Sequence, residues 1–306
     1  MLRCANRRTT KSAGEITIVT LTCRALHRYG LARGSCSSIF RYAIHGTPKA
    51  NRILQDWCAE QPGLVSETLQ TFFFKTKKVK ITMNAETETL LEQLFAKDSE
   101  LYQNRGFQRR IGWGKKPALI NVDLANTWTQ EGSPFTCPGM ETIIPAVNQV
   151  LAAFRAKGLP IVFTTVAYQI TEGDHTDMGL WDKKIPSESQ IAGSKEMEID
   201  ARLGRRPDEL VIVKKQASAF HGTNLASFLT AAGVDTIVVT GATASGCIRS
   251  TVTDGIAEGF RPIVVRECIG DRIAGAVEWN LFDIDAKFGD VESLHDVLER
   301  LQGIEP

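Results

Sequence analysis

The sequence predicts an α/β fold in one domain, a mainly parallel sheet with helices on both faces. Three observations carry this. From about Pro117 onward, short runs of almost wholly apolar residues recur. Stretches with helical spacing alternate with them, and glycines close several of those stretches. Strands this uniformly apolar are buried on both faces, and crossover helices cover them.

The elements follow in order. Residues 83–112, rich in Glu, Gln and Arg, predict an N-terminal helix and arm packed outside the sheet. Residues 117–123 form the first apolar run and end in Asp123. Residues 140–157 have helical spacing, with Ile143, Val147, Val150, Leu151 and Phe154 on one face and Gly158 as the stop. The second strand is 159–166, the third 209–214. A helix over 223–232 closes at Gly233, and 235–240 is the fourth strand. A helix over 247–258 puts Ile248, Val252 and Ile256 on one face and stops at Gly259. The fifth strand is 261–266, and helices at about 275–287 and 291–302 complete the domain. Each crossover should be right-handed. The long polar stretch 168–208 is weakly patterned, as loops that carry a binding surface or lid are. There is no internal repeat.

Composition bounds the function. The 306 residues are 43% hydrophobic and 23% charged, the profile of a globular protein. No run approaches the roughly 18–20 apolar residues of a membrane helix. The net charge of +1 conceals an asymmetry. Residues 1–82 hold 14 basic and 4 acidic residues, and the remainder holds 22 and 31. The domain is therefore expected over 83–306, with 1–82 a basic, disordered extension outside the fold. Three readings of that extension stay open: a start site upstream of a native Met83, a targeting segment of mitochondrial composition, or a functional basic arm. A secretory signal would need an apolar stretch of about 7–15 residues near the start, and none is present. Cys137, Cys247 and Cys268, irregularly spaced, are no disulfide framework, which points to a reducing, cytoplasmic setting.

Ligands of open α/β sheets bind beyond the carboxyl ends of the strands. There the sequence places Asp123 after the first strand, Lys214 and Lys215 at the end of the third, and Arg272 after the fifth. Cys247 follows the fourth strand across a glycine-containing turn, 241–246, and opens a helix. Amide groups and the helix dipole there favour a thiolate, so a lowered thiol pKa is expected. The same amides can hold an oxyanion. Asp123 is the candidate base for the thiol and Lys214 the cation that keeps it ionised. Cys268 and Cys137 read as incidental. His221, seven residues after Lys214, could line the pocket. Asp174 and His175 stand side by side, but no further ligand stands at metal spacing, so no metal and no cofactor are expected.

Three segments carry a resemblance: INVDLANTW (120–128), VKKQASAFHGTNL (213–225) and VTGATASGCIRSTVTDGIAEGF (239–260). They resemble the isochorismatase-like cysteine hydrolases, and among these the N-carbamoylsarcosine amidases, over roughly 100–295. The resemblance implies a six-stranded sheet with Cys247 as nucleophile, Asp123 as base and Lys214 as third member. It implies a cis peptide at Ala242–Thr243, with the Thr243 and Cys247 amides as oxyanion donors. Arg272 would hold a substrate carboxylate, with Ala242 lining the site; His221 departs from the pattern, which bears on fine substrate preference and not on the chemistry. The implied reaction takes N-carbamoylsarcosine to sarcosine, carbon dioxide and ammonia in creatinine breakdown. Maleamate, ureidoacrylate or a non-catalytic scaffold are the alternatives. The implied partners are a small-molecule acid and further copies of the chain, a tetramer, with neither nucleic acid nor membrane. A nicotinamidase would carry a metal-binding His cluster after the first strand, which this sequence lacks.

Overall fold

A computed structural model describes residues 85–170 and 176–304. Residues 1–82, Asp174 and His175 lie outside the described residues. The chain runs α1 (Ala85–Asn104), β1 (Pro117–Val122), α2 (Asn126–Thr129), α3 (Met140–Ala156), β2 (Ile161–Val166) and β3 (Leu210–Lys214). It continues through α4 (Leu225–Ala231), β4 (Thr236–Ala242), α5 (Arg249–Ala257), β5 (Arg261–Gly270), α6 (Ala274–Lys287), β6 (Asp290–Glu292) and α7 (Leu294–Gln302).

The strands form one sheet in the order β3-β2-β1-β4-β5-β6. Every neighbouring pair is parallel. β1, β2 and β4 are buried at every residue, as their unbroken apolar runs require. Side chains alternate between the two faces. Leu119 of β1 joins the cluster that α3 and α7 cover, while Ile120 joins the one under α4, α5 and α6. Outside the sheet, Phe95 of α1 stacks on Phe282 of α6 at 4.7 Å between ring centres.

The structure departs from the sequence reading at four places. β5 runs on to Gly270, so Cys268 lies inside a strand rather than past its end. The expected helix 291–302 gives up its first residues to β6 and starts at Leu294, where the Ser293 hydroxyl accepts from the Asp296 amide at 3.1 Å. The Cys247 helix opens as a one-turn π segment, Ala244–Ile248, before α5. The stretch 176–203 holds four short 3₁₀ turns.

β-strand registers bring the chemistry together. Val122 pairs with Gly241, and Val166 with Lys214. Asp123, the turn after Ala242 and Lys214 therefore sit on one rim, at the carboxyl ends of three strands.

Candidate active site

Asp123 follows β1 directly and has φ 51°, a left-handed conformation that Asp tolerates better than most residues. Its amide donates to Thr164 O and Oγ1, both at 3.2 Å. The Thr164 hydroxyl in turn donates to Asp123 Oδ1 at 2.6 Å. Oδ2 lies 2.8 Å from Lys214 Nζ, and both side chains are fully buried. The geometry of that contact leaves Oδ2 without a directed hydrogen bond. Lys214 Nζ donates instead to Gln216 O at 3.0 Å, Ala217 O at 2.9 Å and Cys247 Sγ at 3.5 Å.

The Cys247 sulfur thus meets an ammonium and a carboxylate in a dry setting. The π turn that carries it starts at Thr243, after a cis Ala242–Thr243 peptide. Gly241 precedes it at φ 121°, where a Cβ would come within 2.0 Å of Val122 O, so only glycine lets β4 pass this close to β1. The Gly246 and Ile248 amides donate to Thr243 O at 3.0 and 3.1 Å. Ser245 is tied by its amide and hydroxyl to Asp271 Oδ2, at 2.9 and 2.7 Å.

The expected lowering of the Cys247 thiol is not what the structure gives. Burial pushes it up to about 12; Lys214 pulls it down, but the Asp123 carboxylate adds to the rise. One short helical turn cannot offset nearly complete removal from water. Burial also works against the Lys214 charge, yet the Asp123 carboxylate and the Cys247 sulfur outweigh it and raise the ammonium pKa. Burial raises Cys137 to about 12 and raises Cys268 as well; Arg272 and Asp271 act on Cys137 and Glu267 on Cys268, but no ammonium does on either. The arrangement can therefore move one proton, from the neutral thiol to Asp123 Oδ2, as the sulfur engages an electrophile.

Residues 117–296 match the isochorismatase domain. This chain belongs to the isochorismatase family. It is 53% identical to an N-carbamoylsarcosine amidase of an Arthrobacter species over 72% of this chain and 85% of that protein. It is 40% identical to a maleamate amidohydrolase of Pseudomonas putida over 63% of this chain and 91% of that protein. A crystal structure of an N-carbamoylsarcosine amidase from Thermoplasma acidophilum superposes with a TM-score of 0.50 at 25% identity, covering 58% of this chain and 96% of that one.

Within this isochorismatase fold the remaining candidates fall as follows. Arg272 is half-buried, with its guanidinium 5.9 Å from the centre of the Phe135 ring. Among the described residues it has no carboxylate partner, so the fork is free to take an anion. Ala242 is fully buried at the end of β4. His221 is exposed on the loop after β3 and makes no recorded contact with Asp123, Lys214 or Cys247. Among the described residues, His295, Asp296 and Glu299 are the side chains close enough to share a metal ion, all exposed on α7. Among them too, no helix is long and apolar enough to cross a membrane.

Sequence reasoning missed Thr164 and Asp271, which hold Asp123 and the Cys247 turn. The signal for Asp271 was its position beside Arg272, one residue past β5. Thr164 carried none, since a Thr in a buried strand is ordinary.

Proposed function

We propose that this chain is an amidohydrolase that cleaves the terminal carbamoyl C–N bond of N-carbamoylsarcosine through a Cys247 acyl-enzyme. The observation that carries the reading is the buried contact of Asp123, Lys214 and Cys247 in a chain 53% identical to such an amidase. Asp123 Oδ2 takes the thiol proton as the sulfur attacks the ureido carbon. The Thr243 and Cys247 amides hold the oxyanion. The carbon–nitrogen bond breaks, and Asp123 returns the proton to the leaving nitrogen, which departs as ammonia. Water then adds to the thioester-like carbamoyl group, Asp123 again accepting a proton, and the thiol leaves. The released carbamic acid loses carbon dioxide to give sarcosine.

Lys214 holds Asp123 as a carboxylate before each proton transfer, and Arg272 pairs with the substrate carboxylate through a two-pronged guanidinium contact. His221 lines the outer part of the site. The catalytic domain spans 83–306, works in the cytoplasm as a homo-oligomer, a tetramer, and acts in creatinine breakdown.

A second reading is the same chemistry on maleamate, favoured by the 40% identity to a maleamate amidohydrolase. Ammonia release from N-carbamoylsarcosine, maleamate and ureidoacrylate at equal concentration separates the two. The proposal expects kcat/KM for N-carbamoylsarcosine to exceed the others by about tenfold or more, the spread that small differences in pocket contacts produce. A preference for maleamate would replace the substrate and keep the mechanism.

A further inference from the structure

Tyr168 is a buried polar group that the mechanism above does not use. It lies two residues past β2, whose last residue Val166 pairs with Lys214. Its backbone is fixed on both sides, since its amide donates to Gln190 O at 2.8 Å and its carbonyl accepts from the Ala192 amide at 2.7 Å. Lys215 Nζ sits 5.9 Å from the ring centre and donates to Ala167 O at 2.7 Å while pairing with Asp177 at 2.7 Å. The residue is 0% exposed, yet its hydroxyl has no hydrogen-bond partner among the described residues. Buried hydroxyls are nearly always satisfied, so an orphan in a pinned ring points to a partner that arrives from outside.

Its surroundings say where that partner sits. Burial raises the phenol pKa most, and Cys247, Asp123, Asp177 and Asp182 raise it further, so the hydroxyl lies within electrostatic reach of all four and stays neutral. A neutral phenol both donates and accepts. Along the rim the order of strands runs Lys214 on β3, Tyr168 after β2, Asp123 after β1, then Thr243 and Cys247 after β4. A primary amide carries its oxygen and its amino group on opposite sides of the reacting carbon. With the oxygen turned toward the β4 amides, the amino group faces β1 and β2.

We propose that the Tyr168 hydroxyl accepts an N–H of the substrate's terminal amino group and so helps select primary amides. The inference rests on the amidase reading of the Cys247 site. It makes Tyr168 a substrate contact beside Asp123, the group that must protonate the same nitrogen as it leaves.

The test is Tyr168→Phe, which removes the hydroxyl and keeps the ring. The kinetics are measured on whichever of N-carbamoylsarcosine, maleamate and ureidoacrylate the native protein turns over fastest. The expected result is a fall in kcat/KM of about tenfold, with the melting temperature of the free protein unchanged or raised, because the lost hydroxyl had no partner there. A change in kcat/KM smaller than threefold overturns the proposal. So does a melting temperature lowered by several degrees, which would show a structural hydrogen bond. The native rates separate two failures. No ammonia from any of the three acids overturns the amidase reading and this inference with it. An active native protein matched by Tyr168→Phe overturns the tyrosine alone.

Discussion

Cys247 is held as a neutral thiol, because burial and the Asp123 carboxylate together outweigh the Lys214 ammonium. The consequence reaches reactivity. A thiolate alkylates and a thiol does not, so iodoacetamide at pH 7 should label Cys247 about tenfold or more slowly than it labels free cysteine. The sign follows from the direction of the shift. A raised pKa keeps the proton on through the ordinary thiol range, and labelling should climb only as pH rises toward about 12. Peptide mapping after timed alkylation reads this, and labelling faster than free cysteine at pH 7 contradicts it. Position after a strand and before a helix was legible in the sequence, and it singled out Cys247 from Cys137 and Cys268. Burial was not legible, because it is made by β1, β3 and β4 closing around the sulfur from distant parts of the chain. The same holds for Tyr168, whose orphaned hydroxyl exists only once Gln190 and Lys215 have packed around it.

Among the elements, the close parallel pairing of β1 and β4 sets the geometry of the site. Gly241 lets the two strands approach where Val122 leads into Asp123 and Ala242 leads into the Cys247 turn. Gly241→Ala would drive a methyl group into the Val122 carbonyl, and neither backbone can yield without moving a catalytic side chain. The variant should lose about 3 kcal/mol of stability or more. Gly259→Ala, at φ 91° with open space around it, should lose only about 1 kcal/mol. Denaturant unfolding of the two variants measures the difference, and equal losses would mean the close approach is not what fixes Gly241. Five strands were read from their apolar runs; β1, β2 and β4 are buried on both faces as those runs announce, but β3, at the edge of the sheet, leaves Val213 exposed. β6 was missed because three residues, two of them acidic, have no such run. Its Asp290 is buried for a different reason: the carboxylate accepts from the Ile111 and Gly112 amides at 3.0 and 2.8 Å. The turns of 176–203 were hidden likewise, since segments of three to five residues are too short for a period.

For the whole molecule, the proposal divides the chain at Met83, between a basic extension and an acidic catalytic domain. Every described strand, both core clusters and Asp123, Lys214 and Cys247 lie after that point. A chain of residues 83–306 should keep the kcat of the full-length protein and melt within about 2 °C of it, a shift of no more than about 1 kcal/mol for a domain of this size. Loss of folding in the shorter chain would assign the extension to the domain. The central claim is narrower: one buried sulfur, flanked by one carboxylate and one ammonium, performs amide hydrolysis. Ammonia release from N-carbamoylsarcosine by the native protein, Cys247→Ala and Cys268→Ala tests it most directly. The account predicts rapid release by the native protein and by Cys268→Ala, and a rate at least about 10³-fold lower for Cys247→Ala with its melting transition intact. Near-native release by a folded Cys247→Ala protein would contradict it.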